Sequence, residues 1–391
     1  MWALCIFTIF CAKELFDMKE ENDIGFDPSG VGVANGRYFG MPFPNDECPV
    51  VLISVPWDAT VSYSEGTAEG PEAITEASVQ VDLFDEAIED SALLKIGTDE
   101  TVIDLEQEEA DNGPSHIKVS DYIKALSQDS RAKACRIIDR LAAGGELDRE
   151  LVELLTQVNR ASESVNYLVE QICAGYLSQG KIPGVVGGEH SVSFGAVKAA
   201  AASLPEGQKL GVLQFDAHAD LRNAYEGFEH SHASIMFNIL SKIGNIGHLT
   251  QVGIRDFCTE EYDTIMREGR ISAFTDRQIE ESRAEGQTWK SICQRIIDSL
   301  PEYVYISFDI DGLDPSLCPN TGTPVPGGLS FQDAVYLLRQ VASLRKIVGF
   351  DLCEVAPARS KGEMAVGGKE NEWDANVGAR LLHKLALLVS N

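Results

Sequence analysis

KLGVLQFDAHAD, residues 209–220, decides how this chain is read. From Leu210 to Phe215 the stretch is apolar apart from Gln214. A strand with one wet face alternates apolar and polar side chains. A near-continuous apolar run belongs to a strand covered on both faces, and so to a parallel sheet. Directly beyond it, Asp216, His218 and Asp220 stand on alternate positions. The pattern recurs. IPGVVGGEHS (182–191) leads to Glu189 and His190, YVYISFDIDGLDP (303–315) to Asp309, Asp311 and Asp314, and KIVGFDLCEVAP (346–357) to Glu354.

Working outward, strands are expected at 50–55, 182–186, 210–215, 249–253, 271–274, 303–308 and 347–352. Helices are expected at 71–81, 163–179, 191–202, 233–243, 259–268, 277–299, 330–343 and 374–389. Such alternation implies one doubly wound α/β domain, a mostly parallel sheet of about eight strands with helices on both faces. Residues 1–48 read as an N-terminal extension and 49–391 as the main domain, with an acidic helical insertion at about 99–165. Gly144-Gly145 is the expected helix break within it.

The 391 residues are 44% hydrophobic and carry a formal net charge of −29. That charge repels nucleic acid and anionic membrane and favours small cations and metal ions as partners. Nine Cys without a CxxC motif argue against a disulfide framework and for a reducing, cytoplasmic setting. The opening MWALCIFTIFCA is apolar, but a run of about a dozen residues is too short to span a bilayer. It also lacks the basic flank and cleavage site of a signal peptide. A docked segment, or a true start at Met18, is expected instead.

In open α/β sheets the ligand site lies beyond the carboxyl ends of the strands. Each strand-end motif alone has a plain explanation, since Asp serves turns and a lone His often caps or packs. Together they put at least five carboxylates and two imidazoles into one crevice. Unpaired, these charges repel and raise one another's pKa values. Divalent cations remove that cost, and Asp/His donors without Cys suit Mn²⁺, Ni²⁺, Co²⁺ or Zn²⁺. More than four ligands implies two ions, and ions about 3.5–4 Å apart share a water and lower its pKa towards neutrality.

GGEHS (187–191), DAHAD (216–220), SFDIDGLDP (307–315) and EVAP (354–357) resemble the ureohydrolases, the arginase/agmatinase family. SVPWD (54–58), GTAEGPEAI (66–74) and TGTPVPGGLS (321–330) extend the likeness over roughly residues 48–98 and 165–389. The resemblance implies an arginase-like three-layer α/β/α fold, two divalent metal ions per subunit, and hydrolysis of a guanidino C–N bond to release urea. It implies that His190, Asp216, Asp220 and Asp309 hold one ion and Asp216, His218, Asp309 and Asp311 the other. Asp216 and Asp309 would bridge the two. Glu354 matches the family glutamate that pairs with the substrate guanidinium, to which a carboxylate can present two parallel acceptors. His232 matches the histidine near the leaving group, with His230 an outer neighbour. Asp311 would take the proton of the nucleophile, and it or His232 would protonate the leaving nitrogen. Homotrimers or homohexamers are implied by resemblance alone.

DLRNAYEGFEHSHAS (220–234) resembles the agmatinase branch rather than the Asn-rich segment with which arginases grip an amino-acid head. L-arginine is therefore disfavoured. WDATVSYSEGTAEGPEAI (57–74), the extension and the insertion most resemble the cyanobacterial guanidine hydrolases, which use nickel where agmatinases use manganese. Free guanidine, cleaved to urea and ammonia, is the expected substrate. Agmatine, cleaved to putrescine and urea, or another ω-guanidino compound, is the alternative. A formiminoglutamate hydrolase would need a basic pocket residue, for which Arg222 and Arg255 are candidates. A non-catalytic relative would have lost a ligand, and none is missing. Two departures stand out: Asn320, where the family often has Gly, and a long stretch between Pro357 and Asp374, expected as a lid over the pocket or a plain surface loop.

Overall fold

The computed structural model describes residues 26–105, 115–357 and 373–390. The N-terminal apolar run and nearly all of the stretch between Pro357 and Asp374 lie outside the described residues. In chain order the elements are β1 (Val50–Val55), α1 (Gly70–Ser78), β2 (Ile96–Thr98), β3 (Val102–Leu105), β4 (Ser115–Lys118), α2 (Val119–Ala142), α3 (Arg149–Ser178) and β5 (Ile182–Gly187). Then come α4 (Ser193–Ser203), β6 (Leu210–Phe215), α5 (Ile235–Lys242), β7 (Ile246–Val252), α6 (Thr259–Arg267), β8 (Ile271–Phe274), α7 (Asp276–Ala284) and α8 (Trp289–Asp298). The chain closes with β9 (Tyr303–Asp309), α9 (Phe331–Leu344), β10 (Lys346–Cys353) and α10 (Trp373–Val389).

Every residue of β6 is buried, as its apolar run requires. It pairs in parallel with β9 on one side and β7 on the other. The main sheet has eight strands in the order β2-β1-β5-β10-β9-β6-β7-β8, and every pairing in it is parallel. One core cluster packs Ile74 of α1, Ile292 of α8, Leu337 of α9 and Leu381 of α10 against the sheet. A second gathers Ile123 of α2, Val169 of α3, Val197 of α4 and Ile239 of α5. Helices thus cover both faces, the doubly wound three-layer architecture. Strands β5, β10, β9 and β6 are consecutive neighbours. Their carboxyl ends carry the four polar motifs, so strand order alone makes these contiguous. Among the described residues, no helix is long and apolar enough to cross a membrane.

Several elements differ from expectation. The helix expected over 277–299 is two, α7 and α8, parted where Gly286 takes φ 92° and Thr288 caps α8 by accepting from Ser291 N. The helix expected over 163–179 is the second half of the 30-residue α3, which is capped by Asp148. The eighth strand, β2, has three residues at the sheet edge and leaves too short a pattern to read from sequence. Residues 99–165 contain an antiparallel hairpin, β3 with β4, then α2 and the start of α3. The break at Gly144-Gly145 is real: α2 ends at Ala142 and Gly144 takes φ 72°.

Candidate active site

Asp216 follows the last residue of β6, and its two carboxylate oxygens face opposite imidazoles. Oδ2 lies 3.1 Å from His190 Nδ1 and Oδ1 lies 3.5 Å from His218 Nδ1. His190 Nδ1 also lies 3.0 Å from Asp220 Oδ2 and 3.6 Å from Asp309 Oδ2. His218 Nδ1 lies 3.1 Å from Asp311 Oδ2. Two donor groups result, His190–Asp216–Asp309 and Asp216–His218–Asp311, each with its ligand atoms within 4.8 Å of one another. The backbone locks these carboxylates. Asp216 Oδ1 accepts from His218 N at 2.6 Å, Asp309 Oδ1 from Asp311 N at 2.9 Å, and Asp311 Oδ1 from Ala217 N at 2.9 Å.

The chemistry of this set fits divalent cations. Burial, then the charge of Asp216, pushes the Asp220 carboxyl up to about 8. Burial, then Asp311 and Asp216, raises Asp309 well above the usual carboxylate range. Burial disfavours charge on His190, but its hydrogen bonds to Asp216 and Asp220 outweigh that and raise its pKa well above the ordinary value. In the absence of a cation, carboxylates crowd together and borrow protons. A cation in the same place relieves both costs.

The far side of His190 fixes its tautomer. Ser307 Oγ donates to Asp351, 3.1 Å from Oδ1 and 3.0 Å from Oδ2, and lies 2.8 Å from His190 Nε2. With its one proton given to Asp351, the hydroxyl accepts from Nε2–H. Nδ1 then faces the three carboxylates, donating to them while it holds its proton; a bound cation would replace that proton and take the lone pair.

Glu354 follows β10 and is 6% exposed. Its backbone takes φ 64°, a left-handed conformation that costs a non-glycine residue about 1–3 kcal/mol and collects at functional sites. Glu354 N donates to Gly188 O at 2.8 Å, and Thr321 Oγ1 donates to Glu354 O at 2.8 Å, which holds the strained turn. Its Oε1 accepts from His190 N at 2.9 Å. Gly322 leaves room for this carboxylate, since a Cβ on it would stand 2.9 Å from Glu354 Oε2. Burial, then the nearby Glu189, raises the Glu354 pKa well above the ordinary value. A substrate cation would reverse that.

Thr60 connects this wall to His232. Thr60 N and Oγ1 both donate to the buried Glu189, each at 2.7 Å. The hydroxyl oxygen accepts from His232 N at 3.2 Å and lies 3.4 Å from His232 Nδ1. Burial, then the positive His218 and His190, pushes the half-buried His232 down to about 4. It is therefore neutral near pH 7. Tyr225 stands edge-on to its ring, with centroids 6.2 Å apart.

The structure thus gathers His190, Asp216, His218, Asp220, Asp309 and Asp311 into one cluster, with Glu354 tied to it through His190 N and His232 held through Thr60. His230 is set apart, packed edge-on against Phe194 at 5.6 Å. Asp314 is separate too: its carboxylate caps its own turn by accepting from Ser316 N. Arg255 is fully committed, donating to the carbonyls of Gly253, Asp311, Leu313 and Val325 and so bracing the DIDGL turn. Arg222 lies over the Tyr225 ring at 4.9 Å. Thr60, Ser307 and Asp351 had no role in the sequence reading. Asp351 left a signal, a lone carboxylate inside an otherwise apolar strand.

The sequence model of the Arginase family matches residues 48–385. An N(1)-aminopropylagmatine ureohydrolase of Synechocystis is 30% identical over 317 residues, 80% of this chain and 83% of that protein. An agmatinase of Pyrococcus horikoshii is 26% identical over 327 residues, 83% of this chain and 90% of that protein. The crystal structure of the agmatine ureohydrolase of Thermoplasma volcanium superposes with TM-score 0.61 at 23% identity, covering 90% of this chain and 94% of that one, a likeness of fold. With its fold, its donor cluster and these relatives in agreement, the chain belongs to the arginase family and is a ureohydrolase, a hydrolase of guanidino C–N bonds.

Proposed function

We propose that the chain hydrolyses free guanidine to urea and ammonia at a centre of two divalent cations. His190, Asp216, Asp220 and Asp309 would hold one ion, and Asp216, His218, Asp309 and Asp311 the other. The observation that carries the metal reading is the division of Asp216, one oxygen towards each imidazole. The bound ions supply a water acidified enough to act as a nucleophile near neutral pH. The chain's own residues do the rest. Glu354, buried and clamped in its strained turn, binds the guanidinium and fixes which face of its carbon is presented. Asp311, held by Ala217 N, is placed to take a proton. That proton would pass to the departing nitrogen from Asp311 directly or through His232, which is neutral near pH 7 and would take a proton up before giving one.

For a compact substrate the supporting observation is the contact between the loops flanking Glu354. Ser64 N donates to Gly322 O at 3.1 Å, lacing residues 58–66 to the TGTP turn beside the carboxylate. A second reading, agmatine, is favoured by the names of the relatives. Urea release from guanidine, agmatine and L-arginine, measured on nickel-loaded and manganese-loaded protein, separates them. Guanidine turned over with the higher kcat/KM supports the proposal, nickel being the expected better ion. Faster turnover of agmatine with either metal would replace it.

A further inference from the structure

Helix α2 belongs to the segment read from sequence as an insertion, yet its contacts run to the loops around His232. Arg131 of α2 is the centre of them. Its Nη1 donates to Val61 O and, at 3.5 Å, to Ala59 O, the carbonyls on either side of Thr60. Its Nη2 donates to Glu65 Oε1 at 3.1 Å. One turn earlier, Ser127 Oγ donates to Asp58 Oδ1 at 3.0 Å and accepts from Asp58 N at 2.9 Å. The loop bearing Thr60 is therefore pinned to α2 at both ends.

The opposite loop carries Glu226, in the turn after Tyr225; burial raises its pKa, and the charge of Arg131 works against that. Glu226 takes φ 54°, and its Oε2 is buried without a hydrogen-bond partner among the described residues. Helix α3 holds the same turn, since Asn159 Oδ1 accepts from Glu229 N at 3.0 Å and Leu155 fills the space against Gly227. Thr60 and Tyr225 are neighbours of His232, and Arg131 donates to the carbonyls on either side of Thr60. It is largely covered, with 16% of its side chain exposed.

We propose that Arg131 is a positioning residue that sets substrate selectivity. It fixes the loop bearing Thr60, and it pairs with Glu65, next to Ser64, whose N donates to Gly322 O beside Glu354; Glu65 is thus an acid within the wall that the amine tail of a longer guanidino substrate would meet. A cation already paired with that carboxylate repels a second and competes for the same acid, whereas a tail-less guanidinium never reaches it. This rests on the reading of the chain as a hydrolase of compact guanidines.

The test compares kcat/KM for guanidine and for agmatine in the wild-type protein, Arg131→Ala and Arg131→Lys, each first matched for bound metal and for Tm. In Arg131→Ala the agmatine-to-guanidine ratio is expected to rise about tenfold or more, chiefly through a lower KM for agmatine, with Arg131→Lys in between. A merely structural role would lower both substrates by the same factor. An unchanged ratio, or one moving towards guanidine, overturns the proposal. Should Arg131→Ala not fold, Arg131→Gln carries the same comparison, keeping planar donors without the charge. A wild-type protein that prefers agmatine would refute the guanidine reading, while the change of ratio on substitution still decides the role of Arg131.

Discussion

Ser307 stands between His190 and Asp351, its Oγ 2.8 Å from His190 Nε2 and 3.0 Å from Asp351 Oδ2. This relay, behind the cluster, aims Nδ1 of His190 at three carboxylates. Ser307→Ala removes the relay and leaves all six donors. Metal affinity should fall about 10–100-fold, the usual effect of losing a partner behind a ligand. Chelator competition on metal-free protein reads this, and unaltered affinity would rule the orienting role out.

Asp216 and Asp220 sit in one motif but face different imidazoles. Asp216 reaches both His190 and His218, whereas Asp220 contacts His190 alone. Asp216→Asn should therefore weaken both ions, and Asp220→Asn only one. Elemental analysis after dialysis against trace metal is expected to find little metal in the first variant and a single ion per chain in the second. Equal losses would argue against Asp216 as the bridge.

Glu354→Gln keeps the shape of the side chain, and its amide oxygen can still accept from His190 N. It removes the negative charge that faces the substrate cation. Breaking one side of a buried ion pair costs about 3–5 kcal/mol, so kcat/KM should drop by about 10²–10³-fold or more with metal content intact. A drop below about tenfold would assign guanidinium binding elsewhere.

His383, on α10, is buried beside Phe39 with ring centroids 5.3 Å apart, and its Nε2 has no hydrogen-bond partner among the described residues. Burial, then the charge of Lys384, pushes its pKa down to about 4, with Asp85 opposing. The unfolded imidazole, titrating near 6.5, binds a proton that the folded one refuses. Stability is therefore full above pH 6.5 and falls as the pH drops, until the folded group titrates near 4. At about 1.4 kcal/mol per unit the loss between pH 7.5 and 5 is about 2 kcal/mol. Metal ligands also titrate in acid, so the comparison is with His383→Leu, whose melting temperature should depend less on pH over this range. Parallel curves would show that His383 is not the source.

The sheet was legible because burial on both faces writes itself into consecutive apolar residues, as in Leu210–Phe215 and Tyr303–Phe308. The candidate site was legible because four such runs end in carboxylates or imidazoles; each alone has a plain use, and together they crowd charge into one crevice. Sequence could not supply strand order. That β10 lies between β5 and β9, bringing Glu354 beside His190, is a property of crossover connections rather than of any local pattern. The break at Gly286 was missed because apolar spacing resumes on its far side. Thr60 and Arg131 were invisible for a related reason: each acts through a partner more than 65 positions away, Glu189 at 129 and Val61 at 70. Asn320 shows the same limit. It departs from the family glycine, and in the structure its N and Nδ2 donate to the two oxygens of Asp374 at 2.9 and 2.8 Å, tying the TGTP turn to the start of α10.

The central claim is that two cations, held by this cluster, are what make the chain a urea-releasing enzyme. The most direct measurement titrates metal-free protein with nickel or manganese, counting bound ions per chain and urea formed from guanidine in the same samples. Urea release that climbs with metal and saturates at two ions per chain is the predicted result. Full urea release from protein stripped of metal would contradict it.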